Sequence, residues 1–394
     1  MAQLNLVIDA AIPHAAEAFS EFGRVHLLPG DHIDRAALQR ADVLIVRSVT
    51  RVNAALLETT PVRFVGSATI GTDHIDVAYL KARGIAFANA AGCNADAVAE
   101  YVITAIVEVL HRRGAELTQQ SVGIVGVGNI GGRVARLAAA LGMRVLKNDP
   151  PLQRATGSTE YLPLQTVLGA DIVTLHVPLH RSGPDATVHL LNGERLQALQ
   201  PHSLLINTAR GPVIDNSALR TRLQSGNGPD TVLDVWEHEP APDPELVRRV
   251  SIGTPHIAGY SLEGKARATQ MVYEALCRHL GRPAIWQPVL PPVPKSHIVL
   301  DSSLPPVAAL HTLLRHVYDI WQDDHRLREM LKLPPQNRAE YFERLRRTYP
   351  LRREFSNFTV RLQPHGEALA RMLRALRFQV VEYQNNQHTH PIGE

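Results

Sequence analysis

Residues 121–149 (SVGIVGVGNIGGRVARLAAALGMRVLKND) constrain this 394-residue chain more than any other stretch. An apolar run, SVGIV, leads into Gly126, Gly128 and Gly131, and a helical run follows at once. The first glycine permits a tight turn, the second lets a ligand approach the backbone, and the third allows close helix–strand packing. The amides of Asn129 and Ile130 then open a helix whose N-terminus favours anions such as a pyrophosphate. A second strand-like run closes on Asp149, 18 residues after Gly131. A carboxylate there accepts hydrogen bonds from both ribose hydroxyls and repels a 2′-phosphate, so NAD is expected rather than NADP. The bland alternative is a glycine turn and an exposed Asp in a domain that binds nothing. It requires the register of strand, turn, helix and strand to be accidental.

The rest of the chain fits the same architecture. LNLVID (4–9), VHLLP (25–29), ADVLIVRS (41–48), RFVGSAT (63–69) and IAFANA (85–90) are short, mostly apolar and bounded by Gly, Pro or charges, as buried parallel strands are. From Asn94, a plausible N-cap, Ala97, Val98, Tyr101, Val102, Ala105, Ile106 and Val109 recur at helical spacing. After the glycine unit come the strand-like DIVTLHVPL, SLLINTAR and TVLDVW, then a helix from Ser261 to about Leu280 that returns the chain to its first domain. Five prolines between Gly281 and Ser296 read as a stiff linker. Helices over about 305–349 follow, then strands FSNFTVRL and FQVVEY around a further helix. The expected fold class is α/β. Two doubly wound parallel-sheet domains are expected, a flavodoxin-like one (1–93 and 258–285) and a Rossmann one (94–257), with a C-terminal α+β domain (286–394). The last residues, QNNQHTHPIGE, are expected to be a frayed tail.

Charge and cysteine content narrow the function classes. Lys and Arg number 41 against 38 Asp and Glu, a net charge of +3, and the signs alternate along the chain. That argues against a nucleic-acid or membrane-surface protein. Cys93 and Cys277 stand far apart, without metal-type spacing or a disulfide framework, so no metal is expected and a reducing interior is. MAQLNLVIDAAIP lacks the features of a signal peptide, and Asp96, Glu100 and Glu108 interrupt the most apolar stretch, Ala95 to Leu110. The expectation is a soluble cytoplasmic protein.

Three residues fall at strand ends of the Rossmann domain, where ligands bind in such sheets. Arg210 ends SLLINTAR, Glu239 lies in DVWEHEP, and His256 lies in TPHIAG. A guanidinium fork suits a carboxylate, an imidazole can take a hydroxyl proton, and a glutamate beside it can orient it and favour its protonated form. Singly, each has a plainer reading: a structural ion pair, a solvated carboxylate, one loop histidine among 19.

Together, NTARG, DVWEHEP and TPHIAG, after the glycine fingerprint and in this order, resemble the signature of the D-2-hydroxyacid dehydrogenase family. The resemblance covers residues 1 to about 285 and implies catalytic roles for Arg210, Glu239 and His256, with His256 as acid/base. It places Asp234 beside the nicotinamide. VRSVTRVN, VGSATIGTDHID, AGCNADAVAEYV and HIAGYSLEGKARAT are similar to one branch of that family, which oxidises a small phosphorylated hydroxy acid at C2 in vitamin B6 synthesis. In the C-terminal third, VYDIWQDD and YPLRREFS resemble that branch's extra domain, which is associated with homodimerisation. By that likeness Ser48, Thr69 and Tyr260 bind substrate and Gly259 touches cofactor. Arg47 adds charge or forms a structural salt bridge. Val177 stands where relatives often carry Thr, so any cofactor contact there falls to backbone. On residues alone, the homodimer is expected through an apolar stripe on helix 306–320: Val307, Leu310, Leu313, Leu314 and Val317. The same stripe can instead pack its own domain.

Two rival readings remain at this level. One is another dehydrogenase of the family, such as one acting on 3-phosphoglycerate. The other is a non-catalytic NAD-sensing protein on the same scaffold.

Overall fold

The computed structural model describes residues 3–364 and 366–381. These fall into two compact units. One contains the residues up to Val98 with Gly259–Pro291, and the other contains Ala99–Ala258 with the residues from Pro292 onward.

In the first unit β1 (Leu4–Asp9), β2 (Gly23–Leu28), β3 (Val43–Val46), β4 (Phe64–Ser67) and β5 (Ala86–Asn89) form one parallel sheet in the order β2-β1-β3-β4-β5. Alternation along each strand sends successive side chains to opposite faces. Leu6, Ile8, Ile45 and Phe64 pack with Val272, Tyr273 and Leu276 of the helix Leu262–Leu280. Val7, Leu44, Val46 and Val65 pack on the other face with Leu38, Leu57 and Leu80. Both faces are covered, which is why these strands read as continuous apolar runs. At Gly66 a Cβ would lie 2.4 Å from Val272, so the helix can settle on the sheet only over a glycine. The strand order reverses between β1 and β3, where Asp9 ends β1 and Arg47 follows β3.

In the second unit β6 (Ser121–Val125), β7 (Arg144–Asn148), β8 (Ile172–Leu175), β9 (Leu204–Asn207), β10 (Asp230–Leu233) and β11 (Ile252–Gly253) form a parallel sheet ordered β11-β10-β9-β8-β6-β7. Here the order reverses between β6 and β8, so a ligand crevice is expected at their carboxyl ends. The helix Ala95–Arg113 is buried on every side over residues 97–110, and its buried carboxylates are met by protein donors, Glu100 by the Phe355 N–H at 3.0 Å and Glu108 by Trp321 Nε1 at 2.7 Å.

The same unit holds a third sheet, β12 (His297–Asp301), β13 (Thr359–Gln363) and β14 (Gln379–Val381), all parallel. β12 lies between the proline-rich segment and the first C-terminal helix, where the sequence pattern gives helices and no strand. The apolar stripe on the helix Pro306–Val317 does not form the expected dimer contact. Val307, Leu310, Leu313 and Leu314 are buried within the single chain, so that stripe packs its own unit and is not open to a second copy. Among the described residues no helix is long and apolar enough to cross a membrane. The tail QNNQHTHPIGE lies outside the described residues.

Candidate active site

The glycine turn is dictated by space as much as by sequence. Gly126 has φ +87°, and a Cβ there would lie 2.8 Å from the His176 carbonyl carbon and from Val177 Cγ1. At Gly131 a Cβ would lie 1.9 Å from the Gly126 carbonyl oxygen, so the helix Asn129–Ala140 can approach β6 only over a glycine. Around Gly128 nothing lies within 4 Å of a Cβ position, and no side chain caps the helix there. The result is an uncapped helix N-terminus facing open space, suited to a pyrophosphate. Asp149 follows β7. One of its oxygens accepts the Val127 N–H at 2.8 Å, and the other accepts Leu152 N–H at 3.0 Å, capping the helix Pro150–Thr156. Each carboxylate oxygen retains a lone pair for a ribose hydroxyl. The donors and acceptors present therefore fit NAD. The Val177 side chain lies against the Gly126 position, which leaves backbone for any ligand contact.

Beyond β9, the Asn207 side chain donates to the Arg210 carbonyl at 3.0 Å and fixes where that loop leaves the sheet. A Cβ at Gly211 would meet the Trp236 carbonyl oxygen at 1.9 Å, so the Arg210 loop lies directly on the backbone that leads to Glu239. Arg210 Nη1 donates to the Ala209 carbonyl at 2.8 Å.

Glu239 and His256 meet directly, with Oε2 and Nδ1 2.7 Å apart. The other Glu239 oxygen accepts the Trp236 N–H at 2.7 Å, so both oxygens are fixed. Burial pushes the Glu239 carboxyl up. The His256 and Arg346 charges and the bonds from His256 and Trp236 outweigh that, leaving it below the ordinary carboxylate range. An ionised Glu239 requires the Nδ1–H tautomer of His256, and Nε2 is left to accept a proton. His256 has φ +58°, a left-handed backbone unusual for a side chain of this size, and its N–H is held by the Asp234 carbonyl at 2.7 Å.

Asp234 is 2% exposed, and its carboxylate is engaged by protein. It accepts from Thr254 Oγ1 at 2.6 Å, Ile257 N–H at 2.7 Å and Ala258 N–H at 2.9 Å. Burial is the largest influence and leaves its carboxyl above the usual range despite those bonds. The geometry makes Asp234 the residue that shapes the His256 turn. His176, at the end of β8, is also buried; burial lowers its imidazole to about 3. It bonds Thr174 and Thr208 and is too weak a base for proton transfer near neutrality.

The remaining sequence candidates lie in the first unit. Ser48 is exposed in the turn after β3. Arg47 forms a two-pronged pair with fully buried Asp9, at 3.0 and 3.3 Å. Thr69 Oγ1 donates to the Gly71 carbonyl at 3.1 Å, so it accepts from Ser67 Oγ at 2.7 Å. Its only hydroxyl proton is therefore used, and a bonded anion would have to be met by main-chain amides. At Gly259 a Cβ would meet Asn94 Nδ2 at 1.9 Å, and Lys265 Nζ sits 4.7 Å from the Tyr260 ring centroid. Lys265 was missed in the sequence. Burial and the Arg47 charge lower its ammonium, and its place in the first turn after Tyr260 was the available signal.

Two other features do not compete with this site. A cavity of about 420 Å³ lies at the amino ends of β9 and β10, beside Asp230, which is tied to Arg112 and Arg113. His189, Asp215 and Glu237 bring ligand atoms within 4.8 Å of one another, but Glu237 already bonds His189 at 2.6 Å and the Asn216 amide at 3.0 Å. They pin the loop before Glu239.

Residues 96–258 match the family model described as D-isomer specific 2-hydroxyacid dehydrogenase, NAD binding domain. Residues 289–376 match one described as a domain of unknown function (DUF3410). An erythronate-4-phosphate dehydrogenase of Salinibacter ruber is 49% identical over 370 residues, 91% of this chain and 94% of that protein. One from Hahella chejuensis is 45% identical over 377 residues, 95% of this chain and 99% of that protein. Among solved structures, a D-lactate dehydrogenase from Aquifex aeolicus complexed with NAD and lactic acid has a TM-score of 0.57 at 24% identity. That match covers 70% of this chain and 95% of that one, and it carries the fold alone.

Proposed function

The chain belongs to the erythronate-4-phosphate dehydrogenase family, within the D-2-hydroxyacid dehydrogenases, and we propose that it oxidises 4-phospho-D-erythronate at C2 in vitamin B6 biosynthesis. The product is (R)-3-hydroxy-2-oxo-4-phosphooxybutanoate. The reading rests on the 2.7 Å pairing of His256 with Glu239, on the sheet that also carries the glycine turn. Bound NAD supplies the acceptor for the hydride that leaves C2. Gly126, Gly128 and Gly131 admit the cofactor, the amides of Asn129 and Ile130 face its pyrophosphate, and Asp149 takes its ribose. Val177 and Gly259 meet it through backbone, while Asp234 holds the turn beside it. Arg210 clamps the substrate carboxylate, and His256 Nε2 accepts the C2 hydroxyl proton while Glu239 faces the resulting imidazolium. Ser48, Arg47, Tyr260 and the main chain at Thr69 serve the rest of the substrate.

A panel of 4-phosphoerythronate, 3-phosphoglycerate and D-lactate, each with NAD and NADP, tests the assignment. Preferred turnover of the first with NAD is expected. Faster oxidation of 3-phosphoglycerate, or NAD binding without turnover of any acid, overturns it.

The working division is a substrate part (1–93 and 258–285), an NAD part (94–257) and a C-terminal part (286–394) through which two copies associate. The open face of the third sheet supports that homodimer, since Val299 is 63% and Val381 46% exposed. Val299→Arg should give a monomer by light scattering, and an unchanged dimer refutes that surface. Cys93 and Cys277, both buried thiols, suit a reducing compartment such as the cytoplasm.

A further inference from the structure

The turn that carries His256 is gripped from the C-terminal part of the chain. Arg328, on the helix Ile320–Glu329, donates to the carbonyls of Val247 at 2.8 Å and Val250 at 2.9 Å. Asp324, one turn earlier, accepts the Gly253 N–H at 2.7 Å. Past the histidine, Arg352 Nη2 donates to the Ala258 carbonyl at 2.7 Å. Arg352 is 7% exposed, and its guanidinium lies 4.5 Å from the Tyr318 ring centroid, near the buried carboxylate of Glu100. The main chain of Ala258 is thus held on both sides. Its N–H is bonded by Asp234 and its C=O by Arg352, two residues beyond the imidazole.

Packing beside this turn is incomplete at Pro255. A cavity of about 250 Å³ opens beside Pro255, lined also by Arg326, Leu345 and Tyr349. Ile257 and Ala258 are buried beside it, and with His256 in a left-handed conformation and a cavity at Pro255 the turn relies on discrete bonds as well as packing.

We propose that Arg352 is a positioning residue for the proton-transfer step: it fixes the His256 turn through the Ala258 carbonyl, so that the C-terminal part belongs to the catalytic apparatus as well as to assembly. The proposal rests on His256 being the base. The guanidinium never meets substrate. It sets where Nε2 stands relative to the hydroxyl, and a displacement of about 1 Å at a reacting group costs on the order of 100-fold in rate.

The test uses the full-length enzyme, with single-turnover hydride transfer, steady-state kinetics and thermal unfolding of Arg352→Met, Arg352→Lys and a His256→Ala control. Arg352→Met should slow hydride transfer about 10–100-fold while KM for NAD and for the acid stays within about twofold. Arg352→Lys keeps the buried charge but loses the planar fork, and should recover part of that loss. A folded Arg352→Met with a wild-type hydride step overturns the proposal, as does one in which KM and rate fall together with stability. If Arg352→Met does not fold, Arg352→Lys decides alone. A hydride step slowed by about threefold or more at unchanged KM supports the role, and a wild-type rate refutes it. Failure of the underlying reading looks different: His256→Ala would then transfer hydride at the wild-type rate.

Discussion

Glu239 holds His256 by one carboxylate oxygen and its own loop by the other, at 2.7 Å in each case. The pair therefore has one geometry, and its tautomer follows from it. His256→Ala should lower kcat about 10²–10⁴-fold, the usual loss for a general base, with a smaller effect on substrate binding. Pre-steady-state hydride transfer checks this without interference from product release.

Glu239→Gln removes the negative charge facing the imidazole. Nδ1 then loses its charged acceptor, and kcat should fall with KM for the acid little changed, as read by single-turnover and steady-state kinetics. A stability effect has its own sign. The Glu239 carboxyl lies below its unfolded range, so its contribution is present above that range and is lost as pH falls through the depressed value. Wild type should lose its stability margin over Glu239→Gln as pH is lowered through that window, as read by denaturant midpoints.

Arg210→Lys keeps the charge and gives up the fork. KM for the hydroxy acid should rise and kcat fall together, with KM for NAD little changed. An unchanged KM for the acid would place the carboxylate clamp elsewhere.

Gly128 and Gly131 should separate ligand binding from folding. Gly131→Ala drives a methyl into the Gly126 carbonyl and should cost about 3 kcal/mol of stability. Gly128→Ala meets no protein atom, so its unfolding midpoint should stay near wild type while NAD affinity drops. Denaturation and NAD titration of the two variants read both effects.

The parts legible in the sequence were those coded within a few residues. The glycine spacing, the apolar strands and the order of Arg210, Glu239 and His256 are local patterns, and the sheets follow from them. What escaped depends on distant neighbours. An amphipathic stripe such as Leu310 and Leu313 says that something covers it, but not whether the cover is the same chain. β12 is five residues long and follows the proline-rich linker, so its period-two signal is weak. Arg352 bonds a carbonyl 94 residues away, and nothing near it in sequence points there. For Thr69, the likeness gives a substrate contact but not that its hydroxyl donates to the Gly71 carbonyl.

Asp149→Ala should narrow the preference for NAD over NADP, measured as a ratio of kcat/KM values. The same side chain also closes the glycine turn through Val127 and starts the helix Pro150–Thr156. Loss of the cap alone typically costs about 1 kcal/mol, so the variant should also unfold earlier. One atom group thus serves discrimination and folding at once. A lineage drifting toward the phosphorylated cofactor would give up some stability if its first step here were to alanine, whereas serine or asparagine would keep the cap. Drift at position 149 is channelled by the fold toward the few short polar side chains that can still start that helix.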